Sequence, residues 1–304
     1  MNKIKLNIYT FCKEQTMKIV LLYSSFILSI LGFGACNIVN PSEQIPTYII
    51  IDSVSLPPTL PEKHGSVSHK ITDVWVYYNL QLLGAFELPA KVPIYANGRG
   101  QIQVVAGIWD NGLSGTRARY PFYTIDTFSF DASPTQNIYH IPTFYYRTAD
   151  QPVIRYFVEN FEQGNSFLRL FGDTTIVRTD NPADVFEGNW SGKIELSTSH
   201  PTGECITSQA FSLPPNRDAY LEMNYKSDVP FDIRTDIEYN GGNIKSDVMS
   251  FRDRTQWTKV YVRLGGFSST YQNGKFKFFI KTKLGDGMTN AKLLMDNFKI
   301  IYFE

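Results

Sequence analysis

Cysteine is nearly absent from this chain: there are three in 304 residues, at positions 12, 36 and 205. So few exclude a disulfide framework. An excess of charge is also missing, with 29 basic and 29 acidic residues. A near-neutral chain without a basic run is a poor match for the phosphate backbone, so nucleic acid is excluded as a partner. The four histidines, His64, His69, His140 and His200, are scattered through predicted loops. Only the first two are close, and they lack the third ligand of a metal site. Neither G-x-S-x-G nor H-E-x-x-H occurs. "GNWSGKI" is one residue short of a phosphate loop and carries Ile194 where Ser or Thr is required. Between Ile71 and residue 140 no helical period is found. Each predicted domain is small and lacks a long loop to wall a deep cleft, which argues against a glycosidase; the chain is read as a non-enzyme.

What is present begins at the amino terminus. The uncharged run Ile19 to Ala35 holds 17 residues, fewer than the roughly 20 a spanning helix needs. Lys18 before the run, Met17 as an internal start, and Gly34-Ala35 at its end give the order of a secretory signal, removed from the mature protein. Phe33-Gly34-Ala35-Cys36 resembles the bacterial lipobox, which implies cleavage before Cys36 and lipidation of its thiol. Two or three acyl chains would hold the protein stably at a membrane. Processing there leaves 269 residues with 25 basic and 28 acidic side chains, a size that suits two domains. Cys205 is then the only cysteine not accounted for, and reads as a small buried residue.

The expected organisation is a signal at 1–35, a lipidated tether with a first strand at 36–70, a small β-sandwich at 71–150 and a second sandwich at 151–304. The tether is rich in Pro, Ser and other polar residues, and its apolar run is Tyr48 to Ile51. In the first domain "DVWVYY", "QIQVVAGI", "RYPFYTI" and "TFSF" are β-branched and aromatic, punctuated by Asn97-Gly98 and Asp110-Asn111-Gly112 as hairpin turns. A linker is read at 141–152, bracketed by prolines. Beyond it the alternation is clean. In "YLEMNYK" Leu221, Met223 and Tyr225 face a core while Glu222, Asn224 and Lys226 face water or a partner. In "WTKVYVRL" Val260, Val262 and Leu264 point inward, which leaves Trp257 exposed beside Lys259 and Tyr261.

Gly84, Pro89, Ile102, Val104 and Gly107 give Val74 to Ile108 a resemblance to PEGA-like surface modules, which implies a sandwich. Residues 157 to 304 resemble the jelly rolls of carbohydrate-binding modules and galactose-binding-like domains. That resemblance rests on "ENFEQG", "GNWSGKIEL", "WTKVYV" and the closing "AKLLMDNFKIIYF". The fold class expected is therefore all-β, two antiparallel sandwiches with the second jelly-roll-like. Period-2 alternation puts Leu294, Asp296, Phe298, Ile300 and Tyr302 on one face, so Asp296 points inward. The resemblance implies that Glu162 and Asp296 hold a structural calcium, the one cofactor in view. The other reading is that Asp296 caps a loop or accepts backbone N–H groups.

Two binding surfaces are candidates. Trp190, Tyr225, Trp257 and Tyr271, with Arg252 and Arg254, are the aromatic faces and polar forks that a sugar would need. In the first domain Trp109, Arg117, Arg119, Tyr120 and Tyr123 concentrate the residue types of protein-interface hot spots. The aromatic-rich composition is similar to that of Bacteroidota outer-membrane lipoproteins, which implies an anchored envelope protein on the cell surface or the periplasmic face. The reading is a non-catalytic binding or scaffolding subunit of an outer-membrane protein complex. Glycan capture through the jelly roll is the alternative.

Overall fold

The computed structural model describes residues 17–25, 43–58, 60–148 and 153–304. It divides into two compact units, 1–46 and 47–304. In the first, residues 17–25 are helical, and no described helix is long and apolar enough to cross a membrane. Cys36 and its proposed lipid lie outside the described residues.

The second unit is built almost entirely of strands, because its segments are short, β-branched and aromatic, with turn residues between them. In its first sandwich, β1 (Thr47–Ile51) pairs antiparallel with β4 (Ala90–Ile94) and parallel with β8 (Asn137–Tyr139). The facing sheet runs in the order β3 (Gln81–Glu87), β2 (Ile71–Tyr78), β5 (Gly98–Trp109), β6 (Arg117–Arg119), with β7 (Asp126–Ala132) also on β5. Gly98, Asn111 and Gly112 take the positive φ expected of turn residues. Gly107 is required by close approach: it faces Asp73 across β2 and β5, and a Cβ there would sit 1.9 Å from Asp73 Oδ1.

The second sandwich has two six-stranded antiparallel sheets. One is ordered β11 (Val177–Thr179), β12 (Ser191–Ser197), β20 (Asn290–Phe303), β15 (Ala219–Ser227), β18 (Arg254–Arg263), with β9 (Ile154–Glu159) beside β20. The other is ordered β10 (Phe167–Arg169), β13 (Thr202–Thr207), β19 (Lys275–Lys283), β16 (Phe231–Tyr239), β17 (Gly242–Phe251), with β14 (Phe211–Ser212) beside β19. Leu221, Met223, Val260, Val262, Phe278, Ile280, Leu293 and Met295 fill the space between them. Cys205 is in this core, and burial pushes its thiol up to about 12.

Three local expectations change. The period-2 face of the closing strand breaks at Asn297 (φ 52°), where a bulge sets Asn297 and Phe298 against Met223. Leu293 and Met295, then Phe298 and Ile300, face the core, so Leu294 and Asp296 belong to the opposite face. The tether ends earlier than residue 70. Beyond β1 the chain crosses both sandwiches, through the short helix α1 (Pro61–His64) and through Ser68 Oγ, which accepts from Asn224 at 2.8 Å. The proline-bracketed linker is also core in part, since Phe144 and Tyr146 are buried.

Candidate functional site at the seam between the sandwiches

β15 is buried on both faces. The alternation of "YLEMNYK" was legible, and the face carrying Tyr220, Glu222 and Asn224 turned out to meet neither water nor another protein. It meets the first sandwich of the same chain. The apolar cluster there joins Val76, Val104, Tyr120 and Phe122 from the first sandwich to Ile154, Tyr220, Tyr261, Ile301 and Phe303 from the second.

At the centre of this seam lies Glu222, fully buried. Lys259 Nζ is 2.8 Å and Lys299 Nζ 3.5 Å from its Oε2. Tyr146 donates to Oε2 at 2.8 Å, and Tyr120 donates to Oε1 in a short hydrogen bond. Burial alone would raise the Glu222 carboxyl; the two ammonium groups and these donors overcome it and hold the group at about 2. Burial pulls the Lys299 ammonium down, against the pull of Glu222. The Tyr120, Tyr123 and Tyr146 phenols are pushed well up by burial and by Glu222, so they stay protonated donors. A charge so fully desolvated is tolerated only because it is paired and hydrogen-bonded.

Around this centre the seam opens into cavities. One of about 750 Å³ is lined by Trp75, Arg117, Arg119, Arg147, Arg217 and Arg263 among others. A second of about 510 Å³ holds Asn111, Arg263 and Tyr271. A third of about 310 Å³ brings together Lys70, Trp109, Tyr225, Arg252 and Arg254.

The residues singled out in the sequence thus redistribute. The sequence places Trp109 on a protein-docking hairpin and Tyr225, Arg252 and Arg254 at a sugar site, yet one cavity collects all four. Tyr120 and Tyr123 do not face an outside partner: both are buried in the seam. Arg117 is tied to Glu87 at 2.9 Å, while Arg119 lies over Trp75 and donates to the Tyr77 hydroxyl. Trp257 is half-buried and packs on Phe186, with centroids 5.1 Å apart, so the expected exposed platform is absent; Lys259 and Tyr261 beside it are buried. Trp190 carries the Arg178 guanidinium at 4.1 Å from its ring centroid and packs against the second core. Nothing local in the sequence marks Lys70, Arg147, Arg217 and Arg263 as neighbours, and only the fold brings them to these cavities.

Glu162 and Asp296, expected from the resemblance to hold calcium, are each engaged by donors of the chain itself. Glu162 Oε1 accepts from the amides of Asn189 and Trp190, at 2.8 and 2.9 Å, and Oε2 from Asn189 Nδ2. Asp296 accepts from Ser191 Oγ at 2.5 Å and from the Asn297 amide at 2.8 Å, and burial pushes it up to about 7. Among the described residues no group of three or more His, Cys, Asp and Glu could hold a metal ion. The loop-holding role weighed for Asp296 is the one its contacts describe.

No protein-family model matches the chain, and no curated protein does. Solved structures similar to it include a family 61 carbohydrate-binding module in complex with β-1,4-galactotriose (13% identity, 49% of this chain and 88% of that chain, TM-score 0.29). Another is a structure of carbohydrate-binding modules of the β-sandwich superfamily (11%, 87% and 100%, TM-score 0.39). A family 29 carbohydrate-binding module is similar at 12% identity, with 49% and 88% covered and a TM-score of 0.33. These similarities are too remote to carry a site or a ligand across.

Proposed function

We propose that the protein is a non-catalytic carbohydrate-binding protein of the cell envelope, anchored through a lipid on Cys36, and that it takes its ligand at the seam. The observation that carries this reading is the cavity of about 310 Å³ holding Trp109, Tyr225, Arg252 and Arg254. Its volume is at the lower end of the about 300–1,000 Å³ of small-molecule sites, which suits a sugar ring or two. The indole supplies an apolar wall for ring C–H groups, and the guanidinium forks supply donors for hydroxyl oxygens. Hydrolysis needs two carboxylates across the glycosidic bond, whereas the three seam cavities have one carboxylate between them, Asp218.

The scaffolding role has less support, since the aromatic residues that suggested it are spent in part within the chain, Tyr120 and Tyr123 being buried against the second sandwich.

A glycan array of the full chain checks the reading. Binding is expected for the wild type, with a loss of about tenfold or more in Trp109→Ala, about 1.4 kcal/mol. Trp257→Ala should retain its ligand, because that ring packs on Phe186 and does not line the cavity. The opposite pattern, Trp257→Ala silent on the array and Trp109→Ala unaffected, would move the site away from the seam.

A further inference from the structure

The three seam cavities share walls. Arg263 lines both the first and the second, and Asn111 lines both the second and the third. They therefore adjoin one another along the seam, from Arg117 and Arg119 at one end to Arg252 and Arg254 at the other.

Its charge is lopsided in a chain whose acids and bases balance, 29 against 29. The first cavity has five arginines, and the third adds Lys70, Arg252 and Arg254. Asp218 is the sole carboxylate among the lining residues of all three. Some of these cations are already neutralised: Arg117 by Glu87, and Arg263 by Asp110 at 2.8 Å and Asp218 at 3.6 Å. Others are not. Among the described residues no ion pair involves Lys70, Arg119, Arg147, Arg217, Arg252 or Arg254. Arg119, Arg217, Arg252 and Arg254 are exposed and Lys70 and Arg147 half-buried, so several cations with no ion-pair partner face concave walls, where their summed field favours an anion. Burial, with Arg254 nearby, already pulls the Lys70 ammonium down.

Aromatic rings recur along the same path, with Trp75 in the first cavity, Tyr271 in the second and Trp109 in the third. Two of them sit under a cation: Arg119 is 5.6 Å from the Trp75 ring centroid and Lys70 is 5.1 Å from that of Trp109. Apolar ring faces interleaved with guanidinium forks match a chain of sugar rings that carries anionic groups at intervals.

We infer that the seam is a single extended site for a polyanionic saccharide, bearing carboxylates as uronic acids or sulfate esters. This deepens the carbohydrate reading above and rests on it.

The test is isothermal titration of the full chain in detergent with four probes: polygalacturonate, a sulfated galactan, a neutral β-glucan and an oligodeoxynucleotide. Titrations at about 50 and about 200 mM salt report the electrostatic share. The expected result is that one or both charged glycans bind at least tenfold more tightly than the neutral one, and that salt weakens them. Which of the two wins separates carboxylate from sulfate. Arg217→Gln and Arg254→Gln, at opposite ends of the row of cavities, should each lower affinity several-fold and flatten the salt dependence. Both side chains are exposed and outside any ion pair of the described residues, so the variants should fold. Equal binding of neutral and charged glycans, with neither variant changed, would overturn the polyanion inference while leaving carbohydrate binding intact. No glycan bound at all would sink both. Equally tight binding of an oligodeoxynucleotide would show recognition of charge alone and overturn the saccharide assignment.

Discussion

Glu222→Gln is expected to lower the unfolding free energy by about 3–5 kcal/mol at neutral pH, the cost of removing one partner from a buried ion pair. Glu222 is fully buried, and its loss strands Lys259 and Lys299, which among the described residues have no other carboxylate in ion-pair contact. The tyrosine donors would still find an amide oxygen, so the penalty is electrostatic more than geometric. Acid gives an internal check. The folded carboxyl is depressed to about 2 from an ordinary 4.5. A depressed acid stabilises the fold above its unfolded value, and that share is lost as pH falls from 4.5 toward about 2. The gap between wild type and Glu222→Gln in urea unfolding should therefore narrow between neutral pH and about pH 3. A gap under about 1 kcal/mol at neutral pH would mean that the cluster is not closed to water.

Phe122→Ala should cost about 3–5 kcal/mol, as large-to-small changes at buried phenylalanines do. The ring is fully buried, stacks on Phe303 at 4.6 Å and meets Tyr120 and Tyr220 edge-on at 5.6 and 6.2 Å. These partners come from both sandwiches, so the damage should be felt by the whole of residues 47–304. Thermal unfolding should stay a single transition, displaced downward by roughly 6–20 °C. Two separated transitions in the variant or the wild type would show that each sandwich is stable without the seam.

How much of this could be read from the sequence depended on whether the controlling interaction was local. The period-2 alternation of β15 and β18 identified Leu221, Met223, Val260 and Val262 as core correctly, because a half-buried strand writes its burial into the chain. The same alternation said that Glu222, Lys259 and Tyr261 shared the other face without saying what covers it. The cover comes from Tyr120 and Tyr146, about a hundred residues away along the chain for one and fewer for the other, and only the fold brings them there. Asn297 misled for a different reason: one left-handed residue in a long strand reverses the parity of everything before it. Of the candidate site, Trp109, Tyr225, Arg252 and Arg254 were all named from composition, but in two separate surfaces. That they line one cavity follows from the docking of the sandwiches, which no periodicity records.

The seam as the binding site is tested most directly by hydrogen–deuterium exchange of the full chain with and without saturating polygalacturonate. Slowed exchange in residues 109–119 and 249–263, two segments that supply lining residues to all three cavities, is the predicted result. Unchanged exchange there, with protection confined to the loop at 186–191 beside Trp190, would contradict it.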